Sequence, residues 1–313
     1  MNANQQEYIM RNYPEIAYLN EPLKKHSTFG IGGYAKVFLL PNNKKQIKEI
    51  LRYSKKNNIK IFFIGSGSNL LFSDDGFDGI IISLKKTFKN LEIDDSGRIV
   101  AGSGVILVKM VTKAINKNIK GLETLSGVPG TLGGALYMNA GAYGSEISNY
   151  FISAKFLNMN GDEFIITNKD VAFSYRKSNF PKDCILIEAE FNCKTGDSQK
   201  IKDNKNKFSK SRKNSQPLQY RSAGSVFKNP SSDMAAGYLI DQSGLKGTKM
   251  GDALISEKHA NFIVNLGSAS SEDVIYLIKL IKKKVLEKFK ISLELEIKLI
   301  GFSESLIKDV CHV

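Results

Sequence analysis

The stretch 127-GVPGTLGGALYMNAGAYG-144 carries six glycines in eighteen residues, and most of the others are small. Glycine at this density costs folding entropy, so a chain keeps it where the backbone needs a positive φ or where another group must touch the main chain. A second small-residue run, 65-GSGSNLL-71, leaves the apolar segment 59-IKIFFIG-65, which reads as a β-strand. Successive small residues in a turn present backbone N–H groups as a concave nest for phosphate oxygens. Two such loops suit a diphosphate held from both sides, with Ser66, Ser68, Asn69 and Thr131 as further donors. Neither loop is a common nucleotide motif. The first lacks the third glycine of the dinucleotide fingerprint and no G-x-x-x-x-G-K-[ST] occurs, which disfavours an ordinary NAD-binding Rossmann domain and a nucleoside triphosphatase.

The flanking pattern is mixed α and β. An apolar strand from Lys36 to Leu40 stops at Pro41-Asn42-Asn43 and opens a helix with Ile47, Ile50 and Leu51 on one face. Further strands are expected at 80-IIISL-84, 98-RIVAG-102, 151-FISAKFLN-158, 163-EFIIT-167 and 184-CILIEAEF-191, with a helix over 105–118. A lysine-rich helix ends near Gln216-Pro217, which marks a domain junction. Beyond it a short helix over 234–242, the strand 261-NFIVNLG-267 and a long helix from Ser271 with an N-terminal cap are expected. The last strand, 291-ISLELEIKLIG-301, alternates apolar and polar residues.

Composition narrows the partners. No apolar run reaches the roughly 18 to 20 residues that span a bilayer, and the N-terminus lacks the order of a signal peptide. Three cysteines, with no C-x-x-C pair, and three histidines argue against a disulfide framework and against a metal site, and fit a reducing cytoplasm. The formal charge of +14 raises the question of nucleic acid, and 194-KTGDSQKIKDNKNKFSKSRK-213 holds eight basic residues in twenty. That segment has one aromatic residue and no nucleic-acid module around it, so a phosphorylated small molecule is the better use of the charge. No nucleic acid and no membrane are expected as partners, and the chain is expected to be a monomer.

The ordered set 28-TFGIGG-33, 65-GSGSNLL-71, 127-GVPGTLGGALYMNAGAYGSE-146, 175-YR-176, 222-SAGSVFKNP-230, 256-SEKHANFIVN-265 and 293-LELEIKLIG-301 closely resembles the UDP-N-acetylenolpyruvoylglucosamine reductase family. These flavoproteins make UDP-N-acetylmuramate for bacterial cell walls, and the likeness runs from about residue 20 to residue 301. It implies an α+β fold of the vanillyl-alcohol-oxidase type, with two subdomains holding noncovalent FAD and a third, C-terminal α+β domain for the UDP-sugar. The expected divisions are 1–88, 89–205 and 206–301, with a tail over 302–313. The interval between Arg176 and Ser225 is short, as in the family's second type, which lacks an extra substrate-covering loop.

By the same resemblance the FAD contacts are Gly65, Ser66, Gly67, Ser68, Asn69 and Leu70, then Gly127, Gly130, Thr131, Gly133, Gly134, Asn139, Gly141 and Ala142. The implied reaction, with NADPH as hydride donor, reduces UDP-N-acetylglucosamine enolpyruvate: hydride goes to C3 and a proton to C2, where negative charge has built up. Such a step needs a proton donor and stabilisation of the enolate. The family match makes Ser225 the donor, Arg176 the group that polarises the substrate carboxylate, and Glu296, rather than Glu294, the functional carboxylate. Lys298 stands where the family usually has Arg, which keeps the charge and loses the bidentate fork. Tyr175, Lys228, Asn229, Lys246, His259 and Asn261 are candidates for substrate binding, with Lys249 a weaker alternative and a core role equally open for His259. The rivals are another noncovalent-FAD sugar oxidoreductase of this fold and a basic nucleic-acid-binding protein. No His or Cys occurs in 65–71 or 127–144 to tether a flavin as sugar oxidases commonly do.

Overall fold

A computed structural model describes residues 1–312. The chain forms two compact units, Met1–Tyr18 with Phe38–Ser66 and Gly79–Arg212 in the first, and Leu19–Val37 with Gly67–Asp78 and Lys213–Val313 in the second. Among the described residues no helix is long and apolar enough to cross a membrane.

The first unit begins with helix α1, Ala3–Asn12, capped at Asn2 by reciprocal bonds with Gln5. Helix α2, Lys44–Lys56, starts at Asn43, whose side chain accepts from the Gln46 N–H, and buries Ile47, Ile50 and Leu51 as the sequence periodicity requires. The strand that follows, Ile61–Ile64, pairs in parallel with Phe77–Ser83, Ile61 opposite Ile80 and Ile64 opposite Ser83. The first glycine run therefore leaves the carboxyl end of a parallel strand, where α/β folds place ligands.

The rest of this unit is a five-stranded antiparallel sheet in the order 163–167, 151–157, 185–192, 98–102, 91–93. Helix α3, Leu107–Asn116, and the short α4, Leu132–Tyr137, contribute to the core of this part of the unit. That core is dense in aromatics, with Phe151, Phe156, Phe180 and Phe191 buried together. The lysine-rich segment is helix α5, Ser198–Ser215, which buries one side chain, Ile201.

The second unit holds a four-stranded antiparallel sheet in the order 221–225, 262–265, 253–255, 249–250. Helix α6, Ala236–Gln242, and helix α7, Ser271–Phe289, pack on its core. The cap expected at the start of α7 is present, Ser270 and Asp273 bonding each other's N–H groups. Helix α8, Glu304–His312, closes the chain.

The last strand differs from its expected form. Of the alternating segment 291–301 only Lys298–Ile300 is a strand, paired in parallel with Leu70–Phe72. The alternation itself is kept, since Leu293 and Ile297 are buried while Ser292 and Glu294 are exposed. What the upstream half lacks is a continuous ladder. Its backbone bonds the irregular run after Ser225 instead, through a single bridge between Phe227 and Leu295.

Candidate functional site

In the first unit the two glycine runs touch. A Cβ on Gly65 would stand 2.2 Å from Thr131 Oγ1, so only glycine lets these loops close on each other. Gly133 lies against Ser103 in the same way, and its N–H donates to the Ser103 carbonyl at 2.9 Å. Thr131, Gly133 and Asn139 are buried, and Gly134 is exposed. Four buried polar atoms on these elements have no hydrogen-bond partner among the described residues: Ser103 Oγ, Thr124 Oγ1, Ser126 Oγ and Asn139 Oδ1. Leaving one such atom unsatisfied costs about 1–3 kcal/mol, and four of them along and beside one small-residue loop fit a polar ligand that completes them.

Asn139 also ties this loop to a second element. It sits at φ +41°, and its Nδ2 donates to Glu146 Oε2 at 2.6 Å and to the Ser174 carbonyl at 3.0 Å. Ser174 begins the turn of a small hairpin, Phe173–Ser174 paired with Lys177–Ser178, whose two turn residues are Tyr175 and Arg176. Ser178 Oγ donates to the Tyr137 carbonyl, and Tyr137 OH donates to the Pro181 and Cys184 carbonyls. Burial pushes the Tyr137 phenol well above its ordinary range, so it remains a donor. Arg176 is thus placed by the end of α4. Its φ is +56°, and its guanidinium lies 4.9 Å from the Tyr175 ring centroid.

In the second unit Ser225 ends the strand Arg221–Ser225, after a register shift that begins at Ser222 and with Gly224 at φ +80°. Ser225 therefore sits at a bulged strand end. Directly alongside runs the carboxylate segment: Glu296 N–H donates to the Val226 carbonyl at 2.8 Å and Lys228 N–H to the Glu294 carbonyl at 2.9 Å. Two regions far apart in sequence are thus laid side by side with Ser225 and Glu296 at the same end. Lys228 Nζ pairs with Glu294 Oε1 at 2.5 Å, which occupies the alternative carboxylate and leaves it at the surface. Asn69, from the first glycine run, holds the same segment: its Nδ2 donates to the Glu296 carbonyl at 3.0 Å, and its own carbonyl accepts from Lys298 N–H at 2.9 Å.

The remaining candidates divide. Asn261 is buried, and its side chain is spent on the backbone of Phe227, accepting from its N–H at 2.9 Å and donating to its carbonyl at 2.8 Å. It holds the backbone two residues after Ser225. Asn229 Oδ1 accepts from Ala236 N–H and so starts α6 there, two residues later than the sequence pattern suggested. Lys246 pairs with Asp241 at the end of α6, and Lys249 pairs with Asp252. His259 packs edge-on to Phe262 and its Nδ1 accepts from Asn261 N–H at 3.3 Å, while burial pushes its imidazole below its ordinary value.

Residues without an assigned role also build this site. Thr28 N–H donates to the Gly67 carbonyl, and Thr28 Oγ1 donates to the Ser222 carbonyl at 2.8 Å. Arg221 Nη2 donates to the carbonyls of Lys24 and Ser27, and it passes so close over Gly30 that a Cβ there would stand 2.3 Å from its Cζ. The run 28-TFGIGG-33 is thereby fastened to the strand that carries Ser225. The paired glycines of that run were the only sequence signal for this role.

Comparison with known proteins gives the chain a family. Residues 35–167 match the family described as FAD binding domain. The chain is thus an FAD-binding flavoprotein of mixed α+β fold with an added C-terminal domain, the fold class expected from its motifs. Residues 216–300 match the family described as the UDP-N-acetylenolpyruvoylglucosamine reductase C-terminal domain. A UDP-N-acetylenolpyruvoylglucosamine reductase of Caldicellulosiruptor bescii is 45% identical over 294 residues, 93% of each chain. One of Clostridium tetani is 40% identical over 283 residues, 90% of this chain and 91% of the relative. The crystal structure of the reductase from Thermus caldophilus superposes with a TM-score of 0.76 at 32% identity, covering 91% of this chain and 98% of that one. The chain belongs to the UDP-N-acetylenolpyruvoylglucosamine reductase family.

Proposed function

We propose that the chain reduces UDP-N-acetylglucosamine enolpyruvate to UDP-N-acetylmuramate with NADPH and noncovalent FAD, a step of peptidoglycan synthesis, and that Ser225, Glu296 and Arg176 carry the chemistry. The observation that supports these roles is the alignment of the Ser225 strand end with the Glu296 segment through the Val226 and Lys228 backbone bonds. The four unsatisfied atoms and the close glycine contacts fit FAD, held by the loops 65–70 and 127–142. When bound, FAD supplies the two-electron carrier between NADPH and C3 of the enolpyruvyl group.

The chain's own residues then handle charge and proton. Arg176 draws density into the substrate carboxylate, which favours negative charge at C2. Ser225 is a very weak acid, yet an enolate is basic enough to take its proton. Glu296, half-buried beside it, orients that proton and sets the local field. In this reading Tyr175 and Lys228 bind substrate, Lys228 exchanging its surface pair with Glu294 for the ligand. Asn229, Lys246 and His259 act through the surrounding backbone and helix ends. The reading keeps the division into 1–88, 89–205 and 206–301, and places a monomer in the cytoplasm, where its nucleotide-linked substrate and NADPH are made, without nucleic acid or membrane as partner.

Purified protein should be yellow, release FAD into the supernatant on acid denaturation, and consume NADPH in stoichiometric response to the enolpyruvyl sugar, with parallel double-reciprocal lines. A colourless protein after reconstitution, flavin that stays with the precipitated chain, or NADPH consumption indifferent to the sugar would overturn it.

A further inference from the structure

None of the residues assigned to the reaction lies on the lysine-rich helix α5, yet it touches the glycine-rich loop at two points. Phe208 stacks on Tyr143, ring centroids 4.5 Å apart at 26°, and the Tyr143 hydroxyl donates to the Phe208 carbonyl at 3.3 Å. One turn later Arg212 lies across Gly127: a Cβ there would meet Arg212 Cδ at 2.8 Å and Nη1 at 3.0 Å. Residues 208 and 212 share a face of the helix, and Gly127 and Tyr143 stand near the two ends of the glycine-rich stretch. The helix is therefore laid along that stretch and pinned near both its ends.

The guanidinium it brings there is half-buried and makes no ion pair or hydrogen bond among the described residues. Burial lowers its pKa, offset in part by Tyr143, so the charge is desolvated without a compensating anion. An arginine in this condition is unfavourable unless an acceptor arrives, since its five donors are normally satisfied when it leaves water. In the residues just before Gly127, Thr124 Oγ1 and Ser126 Oγ are buried and unpartnered as well. Three unsatisfied donor groups around one glycine define a place for an acceptor-rich, anionic group.

We infer that Arg212 is a cofactor-binding residue, presented by α5 to the phosphate-bearing part of FAD together with Thr124 and Ser126. The inference rests on the flavoprotein reading, and it gives the basic helix a specific role, in which one arginine faces the cofactor while neighbours such as Lys207 and Lys210 are solvated.

The decisive measurement is release of FAD from holoprotein on serial dilution, read by the fluorescence of free flavin, in the parent, Arg212→Gln, Arg212→Lys and Lys210→Gln. Thermal unfolding of the FAD-free chains is measured in parallel. Loss of charge-assisted bonds should weaken FAD binding roughly 10-fold to 100-fold in Arg212→Gln, with Arg212→Lys recovering part of it. Lys210→Gln removes the same net charge and should bind as the parent does. The unfolding temperature of FAD-free Arg212→Gln should match the parent. Equal FAD affinity in Arg212→Gln and the parent would overturn the inference, as would equal weakening in Lys210→Gln or a matching loss of stability without FAD. A parent that binds no FAD would instead sink the flavoprotein reading itself.

Discussion

Replacing Asn261 by alanine separates a residue that positions the Ser225 strand end from one that binds substrate. Asn261 is 3% exposed and Phe227 1%, so neither water nor another side chain can take over the two bonds between them. The substitution leaves the Phe227 N–H and carbonyl buried and unpaired, at about 1–3 kcal/mol each, a loss of about 2–6 kcal/mol in all. Val226 N–H keeps its bond to the Asn261 carbonyl, so the strand stays attached while the next residue loosens. On the proposed mechanism Ser225, two residues before Phe227, donates the proton, and its misplacement by even a fraction of an ångström should lower the rate by tenfold or more. The expected result is a lower urea midpoint together with a lower kcat, with KM for the enolpyruvyl sugar little changed. Asn261→Asp should not rescue it, because a carboxylate offers no donor to the Phe227 carbonyl and adds a buried charge. Urea unfolding followed by circular dichroism, with steady-state kinetics on the same preparations, decides the matter. If Asn261→Ala keeps the parent's stability within about 0.5 kcal/mol and raises KM alone, the side chain faces substrate and the positioning argument is wrong.

In Ser225→Ala, reduction of the flavin by NADPH should run at the parent rate while reoxidation by the enolpyruvyl sugar slows by roughly two to four orders of magnitude, as seen by stopped-flow absorbance; unimpaired reoxidation removes serine from the mechanism. Glu296→Gln should slow the same half-reaction. Glu294→Gln should leave it unchanged and alter stability by at most about 1 kcal/mol, because that carboxylate is exposed and paired only with Lys228; the reverse ranking would mean that the wrong carboxylate of the pair was chosen.

Local pattern made the helices legible. Ile47, Ile50 and Leu51 on α2 and the run from Val274 to Val285 on α7 are buried on the faces their spacing specifies, because a 3.6-residue period has one way to bury an apolar stripe. The segment 291–297 was harder to read. Alternation records which side chains face the core, and it was right about Leu293 and Ile297, but it carries no information about whether a neighbouring strand continues far enough to complete a ladder. Helix α6 begins at Ala236 because Asn229 reaches forward seven residues to cap it. That bond depends on the tertiary path of the chain and leaves no local mark.

The site shows the same division between local and non-local information. The glycine runs announced themselves, since a residue without Cβ is kept only where something comes close, and Gly65 against Thr131 is such a contact. The partners of those glycines were silent. Arg212 sits in a lysine-rich helix where one more positive charge carries no signal; Asn261 stands out in sequence as a substrate candidate, but nothing local shows its two bonds to the Phe227 backbone. Arg176 is the instructive case. A non-glycine residue at φ +56° is held in a conformation that costs about 1–2 kcal/mol, and nothing in the pair Tyr175-Arg176 shows it. The cost is borne because the hairpin is fastened from outside, by Asn139 at Ser174 and by Ser178 at Tyr137. Those bonds run from the glycine-rich stretch and the end of α4, so on the proposed reading the element that holds FAD also holds the arginine in its strained place. Glycine at 176 would relieve the strain and lose the guanidinium, so on the proposed mechanism Arg176→Gly should cost activity without costing stability.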